Sequence, residues 1–428
     1  MKRVLIPWNL PYYQAINGFH PLFSGLLQHA QSEISYIFPD LYEEVSKSDF
    51  DQIMSDVIAE IFAYGRNFAH TDDAYSQEVM NYLGSYLETR DLRTQALIYA
   101  QRDRVDLVFH HTTPLHLSSV PYVLHFENLT TLFFPYLLHG FNGGVQLRRE
   151  LIFNIVRGLL QNQNCKAIFT HIKSSVDILC RSFDSDIINA KVHYIPLGVD
   201  IPQSLSAQVK NKLATISYKA GIRIVFTNSA HGAGQSFLLR GGHDLLVSFQ
   251  EHRKKFINST LVIISSGRDA FAQVHPHLLQ GVEWIEQGIE DSELYTHLID
   301  ADVFALPAAG LHSYSVLRAM RFGAVLICSD APGYEEFVQE YETAFIVKGR
   351  RDDIYSRDPE TGWWRDDYDC MKKFNSKIIE QLTDILNILA ENPKLRHEMA
   401  QRSYFHVMKQ HSMDNWCGSV VDLLKSVS

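Results

Sequence analysis

The 428-residue chain contains no apolar run of membrane-spanning length. Its start, Met1-Lys2-Arg3, leads only into Val4 to Trp8, too short a run for a signal peptide. Cysteine is scarce: Cys165, Cys180, Cys328, Cys370 and Cys417 are an odd set of five, far apart in sequence. No pair has metal or redox spacing, which excludes a disulfide framework or zinc motif and makes a reducing cytoplasm the expected location. A basic excess is also missing. Lys and Arg number 39 against 49 Asp and Glu, and the net charge of −10 is mixed along the chain. That excludes the basic field of a nucleic-acid protein. What is present is apolar substance: 46 % of the residues, enough for a large core and for two or three domains, and incompatible with global disorder.

The pattern of apolar runs is that of an α/β protein. Val4 to Ile6 and Glu33 to Phe38 read as strands, DLVFHH from Asp106 and PYVLHFEN from Pro121 as two more, and Lys166 to Thr170 as another. Residues 41–101 read as a helical insertion. Two strands end in histidine, His110-His111 and His125, with Glu127 close behind. In an open α/β sheet ligands bind at the carboxyl ends of strands, so these residues and the loop WNLPYYQAINGFHP, with Asn17 and Gly18, are rim candidates. A histidine in such a place is more often structural than functional. Ser174 and Ser175 are expected to cap the helix VDILCRSF. A polar stretch, 201–218, reads as a linker, after which the alternation restarts at Ile222 to Thr227.

The most informative stretch is residues 301–330. Val303 to Leu306 is a short, fully apolar strand stopped by Pro307. The loop AAGLHSYS feeds a helix through Val316, Leu317, Ala319 and Met320 that Phe322-Gly323 closes, and Ala324 to Cys328 is the next strand. Such a unit aims unpaired N–H groups and a helix dipole at whatever sits before the helix, which favours an anion such as phosphate. An ordinary connection with no ligand has the same pattern. Arg350 to Asp369, charged and containing Trp363-Trp364, reads as a surface insertion, and helices end the chain. The predicted architecture is two doubly wound domains facing a cleft.

The order of CKAIFTHIKSSVDILCRSF…AKVHYIPLGVD, STLVIISSGRD, GVEWIEQGIEDSELYTHLIDADVFALPA and LRAMRFGAVLICSDAPGYEEF resembles the retaining nucleotide-sugar glycosyltransferases with the GT-B fold. That group includes sucrose and glycogen synthases, phosphatidylinositol mannosyltransferases and bacterial polysaccharide and glycolipid enzymes. The resemblance covers the chain apart from residues 41–101 and 350–369. It implies an acceptor domain over 1–200, a donor domain over 201–411, and a terminal helix, 412–428, crossing back to the first domain. It also implies transfer from a nucleoside-diphosphate sugar, UDP-linked as the first expectation and GDP-linked as the second, with retention and without a metal or other cofactor.

Residue by residue the resemblance is incomplete. The lysine that grips the donor phosphates corresponds to Arg240 in LRGG. The accompanying arginine falls near Ser229 in TNSAHGAGQS, so that cation is missing; the Gly-rich loop there, with His231, is open between replacing part of the charge through its N–H groups and doing nothing for the donor. Two glutamates that hold the sugar and the ribose correspond to Gly310 and Arg318; a guanidinium only donates and cannot copy a carboxylate's ribose contact, so Arg318 is open between a phosphate partner and a surface residue of the helix. The backbone of His312, Ser313, Tyr314 and Ser315 keeps its place at the helix start. His125 corresponds to a first-domain histidine near sugar and acceptor, with Glu127 to orient it and Asn17 and Gly18 beside it. The acceptor is open among small molecule, glycan, protein and lipid. Leu132 to Leu138 with Arg148, Arg149 and Arg157 would suit peripheral contact with a membrane, and core packing under a solvated basic face explains the same pattern. A binding protein that has lost catalysis and a sugar-nucleotide epimerase are the competing classes.

Overall fold

The computed structural model describes residues 1–7, 33–38 and 98–427, apart from residues 117, 135, 229–234 and 287–288, together with scattered residues between 23 and 95. Asn17, Gly18, Ser229, His231 and nearly all of the expected insertion over 41–101 lie outside the described residues. The chain divides into two compact units, one of residues 1–196, 357–366 and 414–428, the other of residues 197–356 and 367–413.

Each unit is built on a six-stranded parallel sheet. In the first, β1 (Lys2–Leu5), β2 (Ile34–Ile37), β3 (Leu107–His111), β4 (Tyr122–His125), β5 (Cys165–Thr170) and β6 (Val192–Tyr194) are ordered 2-1-3-4-5-6. In the second, β7 (Arg223–Thr227), β8 (Thr260–Ile264), β9 (Val282–Ile285), β10 (Val303–Leu306), β11 (Val325–Ser329) and β12 (Ala344–Val347) run 12-11-10-7-8-9. Central strands are apolar on both faces because helices cover both; β10 and β11 are buried at every position, and so is the edge strand β12. Both orders reverse direction once, between β1 and β3 and between β7 and β10. At such a point the two loops leave on opposite sides and open a crevice at the strands' carboxyl ends.

In the first unit α1 (Leu151–Gln161) and α2 (Lys173–Phe183) enclose stacked Phe133, Phe153 and Phe183. Ser174 and Ser175 lie inside the first turn of α2 rather than capping it, and the Ser175 hydroxyl donates to the Glu127 carbonyl at 2.7 Å. The expected linker holds a 12-residue helix, α3 (Gln203–Ala214), that buries Val209 and Leu213 in the second unit. The second unit also holds α4 (Gly242–Arg253), α5 (Ser313–Arg321), α6 (Ser376–Glu391) and α7 (Pro393–Gln410), with α4 packed against α6 and α5 against α7. The terminal helix α8 (Met413–Ser426) carries Trp416, buried within the first unit beside Phe23 and Phe169.

Residues 350–369 correct the expectation of a surface insertion. Arg350 and Ile354 are buried, and residues 355–366 form a two-stranded ribbon, β13 (Tyr355–Arg357) and β14 (Trp364–Asp366). From Arg357 to Asp366 the ribbon belongs to the first unit, where Trp363 is 3 % exposed in the hydrophobic core and the Asp366 carbonyl accepts from Asn142 N–H at 3.0 Å. The charged composition misleads because much of it serves local bonds. The Asp358 carboxylate accepts from the Glu360 and Thr361 N–H groups, shaping the turn that aims Trp363 inward.

Candidate functional site

At the reversal point of the second sheet, β7 ends at Thr227. Asn228 follows, its amide donating to the Ser236 hydroxyl at 2.7 Å and to the Ser265 hydroxyl at 3.1 Å. This ties both ends of the Gly-rich loop to the sheet rim. The loop leads to Leu239, Arg240 and Gly241, and Gly241, in the left-handed region at φ +74°, starts α4. A Cβ on Gly241 would stand 2.3 Å from the Pro307 carbonyl oxygen, and one on Gly242 2.1 Å from the Phe237 ring. Gly241 lets this turn lie directly on the end of β10, and Gly242 leaves room for the Phe237 ring.

The loop after β10 is held from three sides. Ala309 N–H donates to the Leu239 carbonyl at 2.7 Å, the Ser329 hydroxyl donates to the Ala308 carbonyl at 2.6 Å, and the Tyr355 hydroxyl to the Ala309 carbonyl at 2.9 Å. The turn carrying Arg240 and the loop entering α5 are therefore one braced rim. His312 is the N-cap residue of α5, and Ser313, Tyr314 and Ser315 form its first turn, where a helix leaves N–H groups without intrahelical partners. The arrangement suits an anion: a guanidinium carried on one loop, a helix N-terminus on the next.

Arg318 stands one turn further, its guanidinium 5.2 Å from the centre of the Tyr314 ring. Tyr295 lies close to both. Burial raises its phenol above the usual range, Asp291 and Tyr314 push the same way, and Arg318 opposes them. Gly310 faces Tyr355, whose hydroxyl would be 3.6 Å from a Cβ there. Tyr355 and Ser329 are the residues here that sequence reading missed; they act through backbone carbonyls, which leave no mark in a motif.

In the first unit the rim histidines meet one another. His125 is fully buried and both its ring nitrogens contact histidines: Nδ1 lies 2.9 Å from His111 Nδ1, and Nε2 lies 3.1 Å from His171 Nδ1. This corrects the expectation that Glu127 orients it; among the described residues Glu127 contributes its carbonyl, to Ser175 and Thr170, and no carboxylate contact to His125. His171 was missed, although it follows β5 directly as His125 ends β4. A second pair, His110 Nε2 to His116 Nδ1 at 2.9 Å, ends at the Val120 carbonyl, 2.8 Å from His116 Nε2. Burial lowers both of these well below an ordinary histidine, His116 to about 4. A carbonyl only accepts, so this neutral pair has one proton arrangement and is structural.

The basic-apolar segment divides as well. Leu132 and Phe133 are core residues, whereas Phe134, Tyr136, Leu138 and Phe141 are exposed. Arg148 donates to the Ser182 carbonyl and Arg157 reaches that of Asp184, so both sit near the end of α2. No helix among the described residues is long and apolar enough to cross a membrane.

Residues 223–357, from β7 to the end of β13, match the family described as Glycosyl transferases group 1. No curated protein sequence matches the chain. Among solved structures, HepE from Anabaena, crystallised with UDP, is similar over 100 % of both chains at 12 % identity and a TM-score of 0.54. WaaG, a glycosyltransferase involved in lipopolysaccharide biosynthesis, is similar over 98 % of this chain and 99 % of its own, at 11 % identity and a TM-score of 0.56. A sucrose-phosphate synthase from Thermosynechococcus elongatus is similar over 100 % of this chain and 99 % of its own, at 12 % identity and a TM-score of 0.56. Those likenesses span both units, and the fold of this chain is the GT-B fold of glycosyltransferases. The segment matched by the family includes both loops of the braced rim.

Proposed function

We propose that the chain is a glycosyltransferase that moves a sugar from a nucleoside-diphosphate donor to an acceptor hydroxyl, with retention of anomeric configuration and without a resident metal. A UDP-sugar is the first donor to test and a GDP-sugar the second. The observation that supports the proposal is the braced rim at the β7/β10 reversal, where Leu239, next to Arg240, is bonded to Ala309 of the loop that leads into α5, within the family-matched segment. Charge develops on the departing diphosphate as the sugar leaves. Groups already oriented toward that charge stabilise it without reorganising. Arg240 supplies the cation, the first-turn N–H groups of Ser313, Tyr314 and Ser315 the dipole end, and Arg318 a second fork for phosphate. His312, Ser229 and His231 complete the donor side. On the acceptor side the proposal keeps Asn17, Gly18, Glu127 and His125. Retention and metal independence rest on the resemblance in sequence order.

The test is a thermal-shift series with UDP, GDP, UDP-glucose, UDP-N-acetylglucosamine and GDP-mannose. A ligand at a hundred times its Kd adds about 2.7 kcal/mol to the native state, a readily measured rise in Tm. Slow donor hydrolysis without acceptor, unaffected by EDTA, is the expected activity. Proton NMR of the first product formed from an α-linked donor reads the anomeric outcome. Absence of any shift at millimolar nucleotide would refute the donor site.

A further inference from the structure

Beneath the braced rim, wholly within the second unit, lies an ion pair closed to solvent. Asp244 and Arg350 are each fully buried, and Arg350 Nη2 donates to Asp244 Oδ2. Asp244 stands in the first turn of α4, shortly after Arg240. Its other oxygen, Oδ1, accepts at 2.9 Å from the N–H of Asn375, the N-cap residue of α6. His243 Nε2 lies 3.4 Å from the same oxygen and 3.1 Å from the Lys373 carbonyl. Arg350 opens a short helical turn, Arg350–Ile354, that leads directly into Tyr355. The Asp330 carboxylate, following β11, accepts from Gly349 N–H at 2.9 Å and from Arg351 N–H at 3.0 Å, so the backbone is pinned on both sides of Arg350.

These contacts close a circuit. From Asp244 the chain runs back through Gly241 to Leu239, whose carbonyl accepts from Ala309 N–H at 2.7 Å. The Ala309 carbonyl accepts from the Tyr355 hydroxyl at 2.9 Å, and from Tyr355 the chain runs back to Arg350. The ion pair is the remaining link. Ala309, Ile354 and Met371 form a buried apolar cluster with Leu239 and Tyr355 packed against it. Stability alone does not call for charges in such a place. Taking both out of water is costly, and a well-packed apolar pair is often as stable. Arg350 is also under-used, its Nε and Nη1 being buried with no hydrogen-bond partner among the described residues. What a charged hydrogen bond supplies, and an apolar contact does not, is a fixed length and direction.

We propose that Asp244 and Arg350 are positioning residues for the donor diphosphate, their ion pair fixing the depth at which the Arg240 turn sits against the loop entering α5. Their part in donor binding rests on the glycosyltransferase reading. Both side chains are buried and act through the backbone of their own elements. With the pair gone, the start of α4 is tied to Tyr355 and Ala309 by apolar packing and by the single bond at Leu239. Arg240 and the first-turn N–H groups of α5 then no longer keep one spacing, and the diphosphate is gripped by one or the other. The nucleoside carries no phosphate and does not sense that spacing.

The test replaces both charges at once in the full chain, Asp244→Leu with Arg350→Met. Removing the two together leaves no unpaired charge in the core, and the melting temperature should stay within about 4 °C of wild type. Amide exchange followed by ¹⁵N NMR should be about tenfold faster at Ala309, whose N–H joins the two loops, and unchanged at Ile327 in the middle of β11. Calorimetric titration should find UDP about tenfold weaker, on the scale of a charged hydrogen bond lost, and uridine within about twofold. Arg350→Lys keeps the charge and should recover part of the UDP affinity. Wild-type exchange at Ala309 overturns the circuit. Faster exchange with wild-type UDP affinity, or equal losses of UDP and uridine, overturns its part in holding the diphosphate. If the double variant does not fold or melts far below wild type, Asp244→Asn, which keeps the shape and the acceptor for Asn375, is read in the same way. A wild-type protein that binds no UDP sinks the donor reading separately, and exchange at Ala309 still decides the circuit.

Discussion

Replacing Gly241 by alanine tests the braced rim directly. The backbone there has φ +74°, where an L-residue loses about 1–2 kcal/mol. The added methyl would also stand 2.3 Å from the Pro307 carbonyl oxygen, and that neighbour is backbone and cannot swing aside. Forced displacement of packed structure costs a further 1–3 kcal/mol or so. The sum is roughly 2–5 kcal/mol. A unit of this size loses about 2–4 °C of Tm per kcal/mol, so the expected fall is roughly 4–20 °C. Gly310→Ala is the internal control. Its methyl would meet only the Tyr355 hydroxyl, at an ordinary 3.6 Å, and should change stability by no more than about 0.5 kcal/mol. Calorimetry gives both values, and titration with UDP reports whether Arg240, carried on the same turn, loses its ligand in parallel. A Gly241→Ala protein within a degree of wild type, with unchanged UDP affinity, would refute the close apposition of the two loops.

Arg240→Ala should cost about 2–4 kcal/mol of transition-state stabilisation, and Arg240→Lys should recover part of it; wild-type kcat/KM in the alanine variant would remove Arg240 from the site. Arg318→Ala should weaken UDP more than uridine in calorimetric titration, whereas equal losses would mean that Arg318 only braces Tyr314. Acid should destabilise the first unit through His116. Its folded pKa is about 4 against 6.5 ordinarily, so between those values the unfolded chain binds the extra proton and stability falls as pH falls. The full effect of that shift is about 3 kcal/mol, and urea melts from pH 7 to 4.5 should lose part of their pH slope in His116→Gln. Truncation after His411 removes Trp416, buried beside Phe23 and Phe169, and should lower the melting temperature of the first unit, an unchanged value counting against that packing.

The sequence by itself determined the two parallel sheets, because buried parallel strands must be short apolar runs and their loops must carry glycine, proline and caps. Val303 to Leu306, Pro307, the Gly241-Gly242 pair and the Phe322-Gly323 stop are local signals, and each stands where the structure uses it. Arg240 and the start of α5 were legible for the same reason, each lying at the junction of a loop and a helix. Tertiary structure alone decided which residues of distant segments meet. Tyr355 and Ser329 brace the rim by bonding to carbonyls of Ala309 and Ala308, contacts that depend on distance in space and on no residue type. Residues 357–366 look solvated in composition, yet Trp363 is core, because the charges around it are spent on a turn. His125 was legible as a strand end. Its partners were not, because strand order and register, which no local pattern encodes, place His111 on one side of it and His171 on the other.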